Sequence, residues 1–239
     1  MIKPCSKPPS VPAGQFAGNR RRAFVAACCL ALAGALPAAV AQTVTTPRSS
    51  APVLLVLGDS LSAGYGLPRE TGWVTLLEKR LRERGHAYRV ANASISGDTT
   101  SGGASRLPAL LAQYQPGIVV IELGANDALR GLSLQMTEAN LDKMAAAARQ
   151  AGARVLLVGM QIPPNYGRAY TERFKQLYAE VARRQKAALA PFLLEGVAQH
   201  VEMFQADRLH PTIQAQPRLL ENVWPHLEPL LEESSPSAR

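Results

Sequence analysis

A serine hydroxyl becomes an effective nucleophile only when a base takes its proton and an acid holds that base in one tautomer. Ser60, His210 and Asp207 have the types and the setting for that chemistry. Ser60 lies in Gly58-Asp59-Ser60-Leu61-Ser62, where an apolar run breaks at a glycine. Such a break at the end of a buried strand exposes the side chain and offers the amides of a following helix to an oxyanion. His210 lies in Asp207-Arg208-Leu209-His210-Pro211. A carboxylate three residues before a histidine, on a non-helical loop, can bond one ring nitrogen while the other faces the serine. A tetrahedral intermediate also needs donors aimed at its oxygen. Gly97, in Ser94-Ile95-Ser96-Gly97-Asp98, can bring its amide close to a substrate because it has no Cβ. Asn126, in Gly124-Ala125-Asn126-Asp127, can supply a side-chain amide directly after a strand.

Each residue has a plainer reading beside this one. Ser60 and Asn126 could cap helices, Gly97 could be a turn glycine, and Asp207 could cap a turn that leaves His210 on the surface. Of the other histidines, His86 and His226 fall on helix faces. His200, with Glu202, Asp207 and His210, would be the only route to a metal site, and no HExxH-type spacing accompanies it. No metal and no organic cofactor is expected.

These residues require a frame that delivers them to one edge. Residues 52–57 form a continuous apolar run, the pattern of a strand buried on both faces. Residues 73–84 place apolar side chains at 73, 76, 77 and 81 with charges between them, a helix pattern. Further strands are expected at 88–93, 118–123, 155–158 and 190–194, and further helices at 98–113, 137–150, 170–186 and about 213–230. Strand-helix alternation implies a parallel sheet, because parallel strands need crossover connections. The expected fold class is therefore α/β: a doubly wound, flavodoxin-like, five-stranded parallel sheet with helices on both faces and no internal repeat. Ligands in such folds bind beyond the carboxyl ends of the strands. Ser60, the loop from Ser94 to Asp98, and Asn126 each follow a strand.

The chain has 239 residues, 47% of them hydrophobic, and a formal charge of +8. Its first 41 residues hold five basic side chains and no acid, so the remainder carries only +3 and no basic run dense enough for a nucleic-acid track. Arg20 to Arg22, the apolar stretch from Ala23 to Leu36, and Ala39-Val40-Ala41 are the parts of a secretory leader. Cleavage after Ala41 is expected, with residues 42–239 as the mature domain in the periplasm or outside the cell. The apolar stretch is shorter than the ~20 residues of a transmembrane helix, and no later segment is long and apolar enough to span a bilayer. Arg21-Arg22-Ala23-Phe24-Val25 has some twin-arginine character. Cys28 lies within the apolar stretch instead of following it, which argues against a lipoprotein signal. All three cysteines lie in the leader, so the mature chain has no disulfide, thiol nucleophile or cysteine metal site.

Taken together, these blocks resemble the SGNH (GDSL) hydrolases. Gly58 to Ser62 matches the nucleophile block, Gly97 the glycine block, Gly124 to Asp127 the asparagine block, and Asp207 to His210 the Asp-x-x-His block, over essentially all of 53–230. Within that superfamily the chain is similar to the bacterial periplasmic acyl-CoA thioesterase, arylesterase and lysophospholipase subgroup. That likeness is carried by Gly58 to Tyr65, Ser94 to Thr99, Arg106 to Leu111, Glu122 to Gly124, Leu129 to Gly131 and Pro164 to Arg168. The resemblance implies a catalytic Ser60, Asp207 and His210, and an oxyanion hole of the Ser60 amide, Gly97 and Asn126. It implies small acyl ester, thioester or lysophospholipid substrates. The loop from Thr100 to Ala104, and Thr212 where the subgroup often has asparagine, leave acyl-chain preference open. A carbohydrate deacetylase is the alternative enzyme, and a silent lipid-binding relative the alternative without chemistry. A nucleotide-binding module is disfavoured because neither G-x-G-x-x-G nor G-x-x-x-x-G-K-[ST] follows the first strand.

Overall fold

The computed structural model describes residues 51–232. The expected leader and its cleavage site at Ala41 lie outside the described residues. The chain runs β1 (Val53–Gly58), α1 (Ser60–Ala63), α2 (Trp73–Glu83), β2 (Arg89–Asn92), α3 (Thr100–Tyr114), β3 (Ile118–Glu122), α4 (Ala125–Leu129), α5 (Leu134–Gln150), β4 (Arg154–Val158), α6 (Arg168–Gln185), β5 (Ala188–Ala190) and α7 (Gln216–Glu232). Short 3-10 turns stand at Pro164–Tyr166, Val201–Met203 and Ile213–Ala215.

Every strand pairing is parallel and the order is β2-β1-β3-β4-β5. This is the doubly wound, flavodoxin-like arrangement read from the alternation. β1 and β3 are buried at every residue, because helices cover both faces of the sheet centre. α2 packs on α7, while α5 packs on both α3 and α6. Each helix turns an apolar stripe inward: Trp73, Leu77 and Leu81 from α2, Leu141, Met144 and Ala148 from α5, and Leu220, Val223 and Leu227 from α7 are all buried.

The order of strands matters for function. β1 leads outward to β2, and the chain then returns to place β3 on the other side of β1. The loops leaving β1 and β3 therefore diverge and open a crevice at the carboxyl edge, the usual ligand position in this topology.

Three elements differ from expectation by three residues or more at one end. The last strand is Ala188–Ala190 instead of 190–194. Pro191 has no N–H to donate, so the ladder stops there. Phe192, Leu193 and Leu194 are still buried, but in turns rather than in the sheet. The helix expected from 137 begins at Leu134, capped by the Ser133 hydroxyl, which accepts from the Met136 amide at 3.4 Å. The final helix begins at Gln216, after a 3-10 turn has taken up Ile213–Ala215.

Candidate active site

Ser60 opens α1 directly after β1. Asp59 caps that short helix, its Oδ1 accepting the Leu61 amide at 3.0 Å. This turns the chain sharply and leaves Ser60 half-buried. His210 approaches from the loop that precedes α7, and its Nε2 lies 2.9 Å from Ser60 Oγ. Its Nδ1 lies 2.7 Å from Asp207 Oδ2. The second oxygen of Asp207 accepts the amides of Leu209 at 2.9 Å and His210 at 3.0 Å. The hydrogen bond from the imidazole, helped by those two amides, pulls the Asp207 carboxyl down from 3.8 to about 2. Nδ1 accordingly carries its proton toward Asp207, which leaves the Nε2 lone pair directed at the serine.

The sequence-predicted oxyanion residues converge on the same edge. Gly97 has φ 79°, a left-handed conformation that glycine adopts without strain, and its carbonyl accepts from Arg130 at 2.9 Å. Asn126, in the first turn of α4, donates through Nδ2 to Asp59 Oδ2 and to the Asp98 carbonyl, both at 3.0 Å. It thus ties the residue before Ser60 to the residue after Gly97. Asp127 locks the arrangement from behind, accepting the Thr100 amide at 2.9 Å and the Thr100 hydroxyl at 2.5 Å. Ser60, Asn126 and His210 all line one cleft of about 480 Å³. Its walls are mainly apolar, formed by Leu129, Met160, Ile162, Phe192, Leu194 and Val201 among others. A volume of that size suits a small organic ligand.

The remaining candidates do not join this group. His200 Nδ1 pairs with Glu202 Oε1 at 3.2 Å on exposed surface. Among the described residues no cluster of His, Cys, Asp or Glu is placed to hold a metal ion.

Two carboxyls beneath the nucleophile, Asp59 and Glu122, show in the sequence only as members of matched blocks, with no role of their own. Glu122 ends β3 opposite Gly58 and is fully buried. Its Oε2 accepts the Ser62 hydroxyl at 2.6 Å and the Asp59 amide at 3.4 Å. Burial above all, and then the neighbouring Asp59 charge, push the Glu122 carboxyl well above its ordinary range. Burial likewise raises Asp59 to about 6. An acidic residue ending the apolar run of 118–121 was the available signal. The cleft walls after β4 and β5 were also missed, because apolar loop residues look like any other core.

Residues 56–216 match the profile of the GDSL-like lipase/acylhydrolase family. The chain belongs to that family. Among family proteins, it is 55% identical over 210 residues to esterase TesA of Pseudomonas aeruginosa, an alignment covering 88% of this chain and 100% of that one. It is 40% identical over 200 residues to the thioesterase 1/protease 1/lysophospholipase L1 of Escherichia coli, covering 84% and 95%. The crystal structure of the psychrotrophic esterase EstA from Pseudoalteromonas, inhibited by monoethylphosphonate, superposes with a TM-score of 0.72 at 38% identity over 75% of this chain and 98% of that one. Family membership makes the chain a hydrolase of the GDSL type acting on small molecules. Among the described residues no helix is long and apolar enough to cross a membrane.

Proposed function

We propose that this protein hydrolyses carboxylic esters and acyl thioesters, with aryl esters, fatty acyl thioesters and lysophospholipids as its substrate classes, through an acyl-enzyme on Ser60. The observation that carries this reading is the unbroken line from Asp207 through His210 to Ser60, at 2.7 and 2.9 Å, ending in a largely apolar cleft. His210 takes the Ser60 proton as the oxygen attacks the acyl carbon, and then gives it to the departing alcohol or thiol. A water activated by the same imidazole releases the acid and restores the serine. Asp207 stays ionised throughout and stabilises the imidazolium.

The amides of Ser60 and Gly97 and the side chain of Asn126 serve as oxyanion donors in this reading. Both Asn126 amide hydrogens have protein acceptors in the free state. Its bond to the oxyanion therefore forms at the expense of Asp59 or Asp98, and is strongest when the oxygen carries full charge. A contact that strengthens toward the transition state favours rate over ground-state binding.

The basic, apolar and small-x-small order of residues 1–41 supports export, with residues 42–239 acting in the periplasm or outside the cell. The esterase, thioesterase and lysophospholipase names of the relatives, together with the apolar cleft, favour acyl substrates over acetylated sugars.

The test is reaction with a fluorophosphonate, followed by peptide mass spectrometry. An adduct on Ser60 that disappears when His210 is changed to Ala is the expected result. Labelling of another serine, or none on folded protein, would overturn the assignment.

A further inference from the structure

The cleft that holds Ser60 contains one feature that ester hydrolysis alone does not use. Arg208 lines it, exposed, from the turn between Asp207 and His210. Its backbone sits at φ 56°, in the left-handed region that a side chain such as arginine adopts only under strain. A strained arginine on this turn is informative because the turn is otherwise tightly held. The Arg208 amide donates to the Gln205 carbonyl at 2.9 Å, and the next two amides donate to Asp207.

The guanidinium has no counterpart among the described residues. Arg80, Arg106, Arg173 and Arg184 are paired with carboxylates, and Arg130 donates to the Gly97 carbonyl. Among the described residues no carboxylate or carbonyl pairs with the side chain of Arg208. Among the described residues that line the cleft, it alone carries a permanent positive charge. The two other ionisable side chains in the lining are Asp59, which is buried, and His210, which is engaged by Ser60 and Asp207.

A substrate that lays its acyl chain along the apolar walls leaves its polar part to the exposed side of the lining, which includes Arg208. We propose that Arg208 is a specificity-determining residue that binds a phosphate on the leaving group. This inference rests on the hydrolase reading above. A planar guanidinium offers several N–H donors in a fork that matches phosphate oxygens. The same chemistry is present in the phosphates of a coenzyme A thioester and in the head group of a lysophospholipid.

The experiment compares three substrates with one acyl chain: an uncharged aryl ester, a coenzyme A thioester and a lysophosphatidylcholine. The protein is assayed unsubstituted and as Arg208→Gly and Arg208→Lys. Glycine removes the guanidinium while suiting the left-handed backbone, and any shift it causes in the turn acts on all three substrates and cancels from their ratios. The expected result for Arg208→Gly is a roughly ten-fold or greater fall in kcat/KM for a phosphate-bearing substrate relative to the uncharged ester, the size of one charge-assisted hydrogen bond. Arg208→Lys should recover part of it, and added salt should shrink the difference. A fall confined to the thioester assigns the contact to coenzyme A, and one confined to the lysolipid assigns it to that head group. A fall in both assigns a shared phosphate site. Ratios unchanged for both substrates would overturn the proposal while leaving ester hydrolysis intact. Absence of ester turnover in the unsubstituted protein would instead remove the hydrolase reading beneath it.

Discussion

Replacing Glu122 by glutamine should cost stability in mild acid and return it as the pH rises. The Glu122 side chain is fully buried and faces no cation; its nearest charged neighbour is the Asp59 carboxyl, of the same sign. The native state therefore keeps a proton that the unfolded chain releases near its ordinary 4.5. Below that value both states hold the proton and the contribution to stability is complete. Above it, each further pH unit costs the native protein about 1.4 kcal/mol, until the pH reaches the raised native value. Glutamine has nearly the same shape and no such dependence. Its carbonyl can accept the Ser62 hydroxyl as Oε2 does, but its NH2 falls where Oε1 has no hydrogen-bond partner among the described residues. The protonated carboxyl leaves one O–H there and the amide two N–H, so glutamine carries one further unsatisfied donor, at about 1–3 kcal/mol. Glu122→Gln should thus be less stable than the parent below about pH 4.5, with the gap closing by about 1.4 kcal/mol per pH unit above it and reversing between about pH 5 and pH 7. Urea unfolding of both proteins across that range measures it. A gap that stays constant with pH would mean that native Glu122 is already ionised, and would refute the argument.

The other predictions concern the histidine loop and the turn after β3. Asp207→Asn should lower kcat by about 10⁴-fold, because an amide no longer holds the imidazole in the productive tautomer; a loss under ten-fold would argue against the relay. With its carboxyl held at about 2, Asp207 adds stability that is present above 3.8 and lost only as the pH falls through about 2. Urea unfolding from pH 5 to pH 2 should show this loss in the parent protein and not in Asp207→Asn. Gly124→Ala should destabilise the fold by about 2 kcal/mol or more. Gly124 has φ 121°, and an added Cβ would lie 2.4 Å from the Tyr178 hydroxyl, which donates to the Leu123 carbonyl at 2.9 Å. Thermal unfolding within about 0.5 kcal/mol of the parent would count against this.

Much of the fold is legible in the order of residues, for a physical reason. A strand buried on both faces must be apolar throughout, so 52–57 and 118–121 announce themselves, and a parallel sheet confines useful side chains to the loops at its carboxyl edge. Ser60, Gly97 and Asn126 can be placed on one edge on that ground alone. The distances among Ser60, His210 and Asp207 cannot, since they depend on a loop with little periodicity. The pattern misplaces β5 because Phe192 and Leu194 line the cleft and Leu193 packs in the core, and hydropathy does not distinguish such residues from a strand. Glu122 shows in the sequence only as a residue of a motif, since the cost of burying a carboxyl depends on neighbours 60 and more positions away.

Ser60 and His210 are 150 residues apart, and a relay of 2.9 Å between them requires that their two loops be fastened to each other and not merely to the sheet. Gln205 does much of this. Its amide donates to the His210 carbonyl at 2.8 Å, and its carbonyl accepts the Arg208 amide at 2.9 Å, which closes the histidine turn on itself. Its side-chain NH2 reaches across to the carbonyl of Tyr65 at 2.9 Å, just beyond α1, and also to that of Pro211 at 3.1 Å. The Tyr65 ring rests against the imidazole, with centroids 4.5 Å apart. A second fastening lies behind it, where Gln216 accepts the Trp73 amide at 3.0 Å and joins α7 to α2. The histidine is thus located by the serine's own loop. Small movements of the sheet edge carry both members of the pair together, so a geometry that must hold to a few tenths of an ångström does not depend on the rigidity of either loop alone.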